Sequence, residues 1–238
     1  MAGFYDSWAG VPTDTGETVE FLRAVAGPGS VLELGIGTGR VALPLVERGF
    51  DVHGIDASAA MLDMVRRKSG SCKIVTHRGD FSRLTELTEH RFGLIYVVFS
   101  TFFGLLTQSE QARCFLGIAQ RLEPDGAFVL EAFVPDPDRF DRCQRTETVE
   151  VGDEHVMLVA TRHDATQQRS WSQFIRITRT ATEMYPIQIR YSWPSELDLM
   201  ARAAGLSLKE RWANWQREPF TAASERHVSV YRHDPSHA

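Results

Sequence analysis

Three glycines spaced two residues apart constrain this chain more than any other sequence feature. Gly35, Gly37 and Gly39 lie between the apolar segment 30–34 and a stretch with helical spacing at 39–48. Glycine has no side chain, so a backbone turn built from it can approach a ligand closely. The pattern predicts a strand-to-helix turn that binds a nucleotide-like molecule. The alternative is an ordinary strand–helix junction.

Short apolar segments and helical stretches alternate through the first half of the chain. Several of the strand-like segments are almost entirely apolar, as buried parallel strands are. Ser58 and Ser109 are placed to cap two of the helices. The predicted strands are 30–34, 51–55, 73–76, 94–99 and 127–133, and the predicted helices are 39–48, 58–68 and 109–122. This succession predicts an α/β fold with a doubly wound, mostly parallel sheet and a ligand crevice at the carboxyl ends of the strands.

The pattern changes near residue 140, where polar turns separate strand-like runs with little helical period. These runs are 156–160, 171–179 and 187–193. A helix with proline in its first turn follows at 194–204, and two strand-like segments, 207–215 and 227–232, complete a seven-stranded sheet. We therefore expect one domain over residues 1–238. Its antiparallel insertion, at approximately 141–193, is expected to form either a lid or the surface of a homodimer.

The composition argues against several classes of function. The 238 residues carry a formal net charge of −5, and the longest basic run is the triplet Arg66-Arg67-Lys68. A nucleic-acid partner is therefore not expected. No apolar run approaches the roughly 20 residues that span a bilayer, and the first ten residues do not resemble a signal peptide. We expect a cytoplasmic protein that binds no membrane.

Asp56 falls where a bound ribose would need a carboxylate. It lies at the end of the second predicted strand, about 20 residues after the glycine turn, and can accept hydrogen bonds from both ribose hydroxyls there. Its alternative role is to cap the following helix. The glycines read G-x-G-x-G, whereas NAD-binding turns usually read G-x-G-x-x-G to hold a pyrophosphate. The spacing therefore disfavours NAD.

Four segments together resemble the class I methyltransferases that use S-adenosylmethionine. They are E-L-G-x-G-T-G, G-I-D-x-S, G-D-F and the apolar fourth strand, and the resemblance extends over residues 4–133. It is to the small-molecule type, which includes amino-sugar and natural-product methyltransferases. The resemblance implies S-adenosylmethionine as cofactor, S-adenosylhomocysteine as product, and cofactor contacts from Glu33, Gly35, Gly37, Gly39, Asp56, Ala57, Met61, Asp80, Phe81 and Phe99.

The resemblance also implies a role for most of these residues. The glycines would lie along the methionine and ribose, Asp56 would hold the ribose, and Asp80 with Phe81 would contact the adenine. Glu33 would orient the turn or the amino group. Met61 would pack against the adenine, although a methionine on this helix also suits the core.

The end of the fourth predicted strand, Phe99-Ser100-Thr101-Phe102-Phe103-Gly104, is rich in aromatic residues. The methyl donor and its acceptor would meet here. Methyltransferases of this family that act on nucleic acids or proteins often carry N/D-P-P-Y/F at this place. The F-S-T-F of this chain departs from that motif and favours a small-molecule acceptor. Candidates for substrate contact are Trp8, Ser100, Phe102, Phe133, Arg190 and Tyr191.

The amino-terminal segment Phe4-Tyr5-Asp6-Ser7-Trp8 resembles the Y-D-x-x-Y/W opening of small-molecule methyltransferases, where that opening forms a lid. The resemblance implies that Tyr5 aligns the acceptor. The alternative is that Tyr5 is an aromatic anchor for the terminus.

Transfer of a methyl group to a neutral amine requires alignment more than a base. An oxygen acceptor would need a base, but His155, His163 and His227 lie in no recognisable catalytic context, and we assign no general base. The segment 99–106 contains no acidic or amide ligands, so no metal is expected. The leading prediction is N-methylation of a small-molecule amine.

Other functions remain as alternatives to this prediction. They are O- or C-methylation of a natural product, N-terminal methylation of a peptide, an NAD-dependent oxidoreductase, and a protein that binds the cofactor without catalysis.

Overall fold

The computed structural model describes residues 13–68, 70 and 73–235. Its first half contains α1 (Thr15–Val25), β1 (Val31–Leu34), α2 (Ala42–Glu47), β2 (Val52–Asp56), α3 (Ala59–Arg67), β3 (Ile74–Arg78), α4 (Leu84–Leu87), β4 (Phe92–Val97), α5 (Gln108–Arg121) and β5 (Leu122–Phe133). Its second half contains β6 (Gln144–Val151), β7 (His155–Asp164), β8 (Arg169–Thr178), β9 (Thr182–Arg190), α6 (Pro194–Ala203), β10 (Leu206–Trp212) and β11 (Arg226–His233).

Seven strands form one sheet in the order β10-β11-β5-β4-β1-β2-β3. The strands β1 to β5 are parallel, while β11 is antiparallel to both β5 and β10. The doubly wound, mostly parallel sheet expected from the sequence is confirmed. Parallel order places the carboxyl ends of β1, β2 and β4 at the same edge.

Each face of this sheet packs against its own hydrophobic core. Phe128 and Leu130 of β5 lie in the core that includes α5 and α6, whereas Ala127 and Val129 lie in the core that includes α1 and α2. Successive side chains of a strand point to opposite faces, so alternation along β5 serves both cores. This explains why the predicted strands read as almost continuous apolar runs.

The insertion is a second sheet of four antiparallel strands in the order β6-β7-β8-β9. The antiparallel insertion after the fifth strand is therefore confirmed, but one strand was missed. β6 reads Q-R-T-E-T-V-E-V, and its polar residues hid it from a search for apolar runs. The last predicted run, 187–193, also extends too far, because β9 ends at Arg190 and Pro194 begins α6.

The helix starts test the predicted caps. The Ser58 hydroxyl accepts a hydrogen bond from the Met61 amide at 3.4 Å, which confirms the cap of α3. The prediction for Ser109 is wrong, because Thr107 caps α5 instead. Thr107 and Glu110 each accept a hydrogen bond from the backbone amide of the other, a capping box that Ser109 cannot form. Among the described residues, no helix is long and apolar enough to cross a membrane.

Candidate active site

The glycine turn joins β1 to the start of α2 and requires glycine at its three positions. Gly35, Gly37 and Gly39 have φ values of 73°, 56° and 82°, which side-chain-bearing residues rarely adopt. The Gly35 and Ile36 amides donate to the Ile55 carbonyl at 2.8 and 2.9 Å, which anchors the turn to β2. A Cβ atom on Gly35 would lie 2.3 Å from Cγ2 of Thr101. The turn and the segment after β4 therefore approach more closely than any side chain on Gly35 would allow.

Asp56 fixes the relation between this turn and α3. Its Oδ2 accepts from the Gly37 amide at 2.9 Å, and its Oδ1 accepts from the Ser58 amide at 2.8 Å. Asp56 is thus not the helix cap considered from the sequence, since Ser58 has that role. Each carboxylate oxygen can accept a further hydrogen bond. The half-buried carboxylate is therefore held rigidly and can still accept from a ligand.

A cleft of about 400 Å³ opens beside these residues. Its wall brings together several residues predicted from the sequence with others from the segment after β4: Gly35, Asp56, Ala57, Gly79, Asp80, Phe81, Thr101, Gly104, Leu105, Leu106 and Glu110. Asp80 accepts from the Ser82 amide at 2.8 Å, which fixes its carboxylate beside Phe81. Two fixed carboxylates, an aromatic wall and a cradle that a Cβ atom would fill fit the adenosyl part of the expected cofactor.

The remaining cofactor candidates lie outside this wall. Gly39 ends the turn, and its amide donates to the Ile36 carbonyl at 3.0 Å. Met61 is half-buried on α3, and its side chain does not line the cleft. The packing of Met61 fits the core role considered from the sequence at least as well as an adenine contact.

Glu33 lies beneath the turn in a buried polar cluster with Tyr96 and Arg40. The Tyr96 hydroxyl donates to Glu33 Oε2 at 3.0 Å, and Glu33 is only 3% exposed. Burial raises the pKa of Glu33 to about 8, while the Tyr96 hydrogen bond and the Arg40 charge oppose that rise. Arg40 also donates to the Thr15 hydroxyl at 2.9 Å. Sequence reasoning missed Arg40, although a cation immediately after the third glycine was a visible signal.

The backbone after β4 is strained where the aromatic segment begins. Phe99 and Ser100 both have φ values of 55°, and two consecutive non-glycine residues in this region are unusual. The Phe99 amide donates to the Glu131 carboxylate, and the Ser100 amide donates to the Glu131 carbonyl at 3.3 Å. The Ser100 hydroxyl accepts from the Phe133 amide at 3.0 Å. These bonds hold the strained segment against the end of β5.

Glu131 is a further residue that the sequence analysis missed. Its carboxyl is 7% exposed, and burial raises its pKa against the Phe99 hydrogen bond and the charges of Arg226 and Arg40. The signal was a single acidic residue in the apolar run A-F-V-L-E-A-F. Without the fold, nothing indicated which backbone group it would bind.

The two phenylalanines after β4 differ in what they contact. Phe102 is fully buried and packs edge-on against Phe115, with ring centroids 5.4 Å apart. Phe103 instead reaches Phe133, with ring centroids 5.0 Å apart. The packing of Phe102 in the core argues against the substrate contact expected of it, whereas Phe133 lines a second pocket.

This second pocket has a volume of about 390 Å³ and lies beneath one face of the insertion, and we call it the insertion pocket. Apolar side chains make up much of its wall, with polar groups among them. The wall consists of Phe133, Pro135, Asp136, Pro137, Arg139, Phe140, Arg145, Glu147, Val149, Val159, Thr161, His163, Ser170, Ser172, Phe174, Ile189 and Tyr191.

The strand register orders the wall of the insertion pocket into rows. Val159 pairs with Phe174 at the outer end, Thr161 with Ser172 in the middle, and His163 with Ser170 nearest the main sheet. The Thr161 and Ser172 hydroxyls are 2.9 Å apart. On the other side of β7, Glu147 pairs with Val159, so the outer row combines a carboxylate with two apolar side chains.

Arg190 holds the insertion to the main domain. Its guanidinium donates to Gln111 at 2.5 Å, Ser192 at 2.8 Å, Gln168 at 3.2 Å and Glu196 at 2.7 Å. The side chain is buried in this network and does not line the insertion pocket. These contacts argue against the substrate contact expected of Arg190 and fit a structural role. Tyr191, the next residue, does line the pocket.

Tyr5 and Trp8, the candidates at the amino terminus, lie outside the described residues.

Comparison with known proteins gives consistent results in sequence and structure. A family model described as a methyltransferase domain matches residues 31–126. The cypemycin N-terminal methyltransferase of a Streptomyces species is 32% identical over 204 residues, which cover 84% of this chain and 82% of that protein. The CcbJ methyltransferase of Streptomyces caelestis has a TM-score of 0.93 at 40% identity, and the match covers 98% of this chain and 95% of that one.

A more distant structure has the same fold. CalS10 is an amino pentose methyltransferase of Micromonospora echinaspora with bound S-adenosylmethionine. It matches with a TM-score of 0.68 at 20% identity, over 93% of this chain and 90% of that one.

Proposed function

Because this chain belongs to the S-adenosylmethionine-dependent methyltransferases, we propose that it methylates an amine of a small molecule bound in the insertion pocket. The observation that carries this proposal is the pocket itself. Its volume of about 390 Å³ is in the range of small-ligand sites, and Phe133 joins its wall to the strained segment after β4. The insertion then acts as the lid over the acceptor.

The cofactor cleft supports contacts from Asp56 to the ribose and from Asp80 and Phe81 to the adenine. Arg40, at the end of the glycine turn, is the side chain we assign to the cofactor carboxylate. Arg40 lies near the buried carboxyls of Glu33 and Glu131, and its guanidinium donates a hydrogen bond to the Thr15 hydroxyl. When bound, S-adenosylmethionine supplies a methyl group on a positively charged sulfur.

The protein's part in the reaction is alignment and exclusion of water. A neutral amine that attacks the methyl carbon needs no strong base, and orientation alone can lower the barrier by roughly 7 to 11 kcal/mol. We assign alignment of the acceptor to Phe133 and Tyr191, which line the insertion pocket. The bonds of Glu131 and Ser100 fix the backbone that carries Phe133. The apolar walls of the pocket keep bulk water from the reacting groups.

The 32% identical relative supports a second candidate function, methylation of a peptide amino terminus. That protein is named a cypemycin N-terminal methyltransferase, and its matched region spans 84% of this chain. The insertion pocket has room for a terminal residue. The acceptor differs between the two candidates, but both react at an amine.

An acceptor screen with isotopically labelled S-adenosylmethionine tests the proposal. The panel contains primary and secondary amines, amino sugars, alcohols and short peptides with free amino termini. We expect label in small amines, and we expect Ser172→Phe, which fills the pocket, to abolish it without changing cofactor affinity. Met184→Phe is the matched control, because Met184 lies on the opposite face of the insertion and is 57% exposed.

The outcomes separate the candidates. Label only in peptides would favour the second function, and label only in alcohols would overturn both. Full activity of Ser172→Phe would show that the acceptor binds elsewhere.

A further inference from the structure

We infer that Tyr191 and His163 form a proton relay that removes a proton from the acceptor's ammonium group. This inference rests on the proposed function, since it concerns an amine in the insertion pocket. The ammonium passes a proton to the Tyr191 hydroxyl oxygen while the hydroxyl passes its own proton to Nε2 of His163. Neither residue was assigned a proton-transfer role from the sequence.

The two side chains form a fixed pair in the pocket wall. His163 Nε2 lies 2.9 Å from the Tyr191 hydroxyl, and each residue is 5% exposed. The His163 ring stacks on Phe140, with centroids 4.5 Å apart and planes 15° apart. The Tyr191 amide donates to the Gln168 carbonyl at 2.9 Å. Neither side chain is free to turn away, so the hydrogen bond between them is a stable feature of the pocket.

The pair lies at the end of the pocket nearest the cofactor cleft. His163 is in the row closest to the main sheet, where it pairs with Ser170. The Gln111 side-chain amide donates both to the Leu105 carbonyl, at 3.2 Å, and to the Arg190 carbonyl, at 2.8 Å. Leu105 lines the cofactor cleft, and Arg190 precedes Tyr191. Gln111 therefore joins the two sites beside the relay.

The environment keeps both groups in the protonation states that a relay needs. Burial lowers the pKa of His163, against the opposing charge of Asp164, so its imidazole is neutral at pH 7. Burial and the charge of Asp164 raise the pKa of Tyr191, so its hydroxyl keeps a proton to donate. The other charged groups in the pocket wall are Asp136, Arg139, Arg145 and Glu147.

These four charges largely cancel within the pocket. Glu147 contacts Arg139 at 3.3 Å and Arg145 at 2.6 Å. With Asp136 the set has two positive and two negative groups, so it does not impose a charge of either sign on His163.

A relay of this kind has a clear chemical purpose. Aliphatic amines are mostly protonated at pH 7, and an ammonium nitrogen has no electron pair for attack. In the transfer, one N–H bond of the acceptor breaks and its electron pair stays on nitrogen. A new O–H bond forms on Tyr191 as its former proton binds Nε2 of His163. The imidazolium returns that proton to solvent after the product leaves.

Protonation of His163 beforehand would block the relay. An imidazolium donates from Nε2 to the Tyr191 oxygen, so the hydroxyl then presents its hydrogen rather than a lone pair to the ammonium. The two positive charges also repel each other. Binding of an ammonium at this end of the pocket should therefore weaken as the pH falls below the pKa of His163.

The test uses an anchored probe, because the acceptor itself is unidentified. The probe is an S-adenosylhomocysteine analogue in which nitrogen replaces sulfur and carries a 2-aminoethyl arm, and the reference probe carries an ethyl arm. Calorimetry at pH 5 to 8 gives the ratio of their affinities, which we call the arm gain. Variants are His163→Gln, Tyr191→Phe and the matched controls His155→Gln and Tyr185→Phe, whose residues do not line the insertion pocket.

At pH values below the pKa of His163, we expect the arm gain of the unaltered protein to decrease. The decrease should approach about tenfold for each pH unit. In His163→Gln the arm gain should change by no more than about twofold between pH 5 and 8. Tyr191→Phe should lose the gain at every pH, and both controls should match the unaltered protein. These patterns would not follow from a purely structural role.

Two results would be decisive against the relay. The relay would be overturned if the arm gain of His163→Gln decreased at low pH as much as that of the unaltered protein, or if the unaltered protein showed no arm gain. Neither result would contradict cofactor binding. Failure of S-adenosylhomocysteine and both probes to bind would instead overturn the proposed function.

Discussion

Replacement of Gly35 by alanine should damage both stability and cofactor binding. The added Cβ would lie 2.3 Å from Thr101 Cγ2, and the backbone φ of 73° disfavours any side chain. Thr101 must therefore move, although its branched side chain has few alternative rotamers. Gly35 and Thr101 both line the cofactor cleft, so any adjustment changes the shape of that cleft.

The size of the effect follows from these two costs. The left-handed conformation costs a non-glycine residue about 1 to 2 kcal/mol, and an off-rotamer threonine adds about 0.5 to 1.5 kcal/mol. The expected loss of unfolding free energy is about 2 to 3 kcal/mol. For a chain of this length that corresponds to a fall of about 5 to 10 °C in Tm. Affinity for S-adenosylhomocysteine should fall about tenfold, equivalent to 1.4 kcal/mol.

Thermal unfolding and calorimetric titration measure these effects, and two variants separate their causes. Gly49→Ala has the same backbone penalty, with φ of 88°, but its Cβ would meet no atom within 4 Å. It should lose only about 1 to 2 kcal/mol and keep full cofactor affinity. Gly35→Ala/Thr101→Ser removes Cγ2 and leaves the nearest Thr101 atom, Cβ, at an ordinary 3.5 Å.

The double variant should therefore recover the part of the loss that is due to the contact. If Gly35→Ala and Gly49→Ala lose the same stability and neither loses affinity, the contact with Thr101 has no consequence and the reasoning is refuted.

Three further predictions concern single residues. Asp56→Ala should weaken S-adenosylhomocysteine binding by about 1 to 3 kcal/mol, since hydrogen bonds to the ribose and support of the turn are both lost; unchanged affinity by calorimetry would refute the ribose assignment. Burial lowers the pKa of His227 to about 3, so its protonation favours the unfolded chain, and stability that is full above about pH 6.5 is lost as the pH falls toward 3. Between pH 6.5 and 4, the free energy of unfolding measured in urea should fall by about 3 kcal/mol less in His227→Gln than in the unaltered protein. An equal fall in both proteins would contradict this. Arg190→Met should lower the free energy of unfolding by about 3 to 5 kcal/mol, because it leaves the half-buried Glu196 without its ion pair. Unchanged stability with a raised KM for the acceptor would instead restore the substrate role.

The cofactor cleft was largely predictable because its signals are local. The glycine turn needs positive φ values within five residues. Asp56 ends β2, and Asp80 follows the end of β3 by two residues. Parallel topology brings such ends to one edge, so the sequence could place these residues together without a contact map. The predicted grouping of Gly35, Asp56, Ala57, Asp80 and Phe81 follows from this.

The acceptor side was less predictable because its contacts join distant parts of the chain. Arg190 and Phe102 were plausible substrate residues from their positions, yet Arg190 binds Gln111 across 79 residues and Phe102 packs into the core. Glu131 read as an isolated acid in an apolar strand, and its bond to the Phe99 amide spans 32 residues. Such partners depend on how elements pack, which residue spacing does not encode.

The sequence by itself determined the doubly wound sheet and the glycine turn, because strand periodicity and glycine conformations act over a few neighbouring residues. The type of cofactor followed from the resemblance of its motifs to a known family. Only the tertiary structure decided which side chains face the acceptor. The insertion forms its pocket from alternate residues of four strands, and a shift of one residue in their register would turn His163 to the opposite face. That register is fixed by long-range pairing and by the packing of the insertion on the main domain.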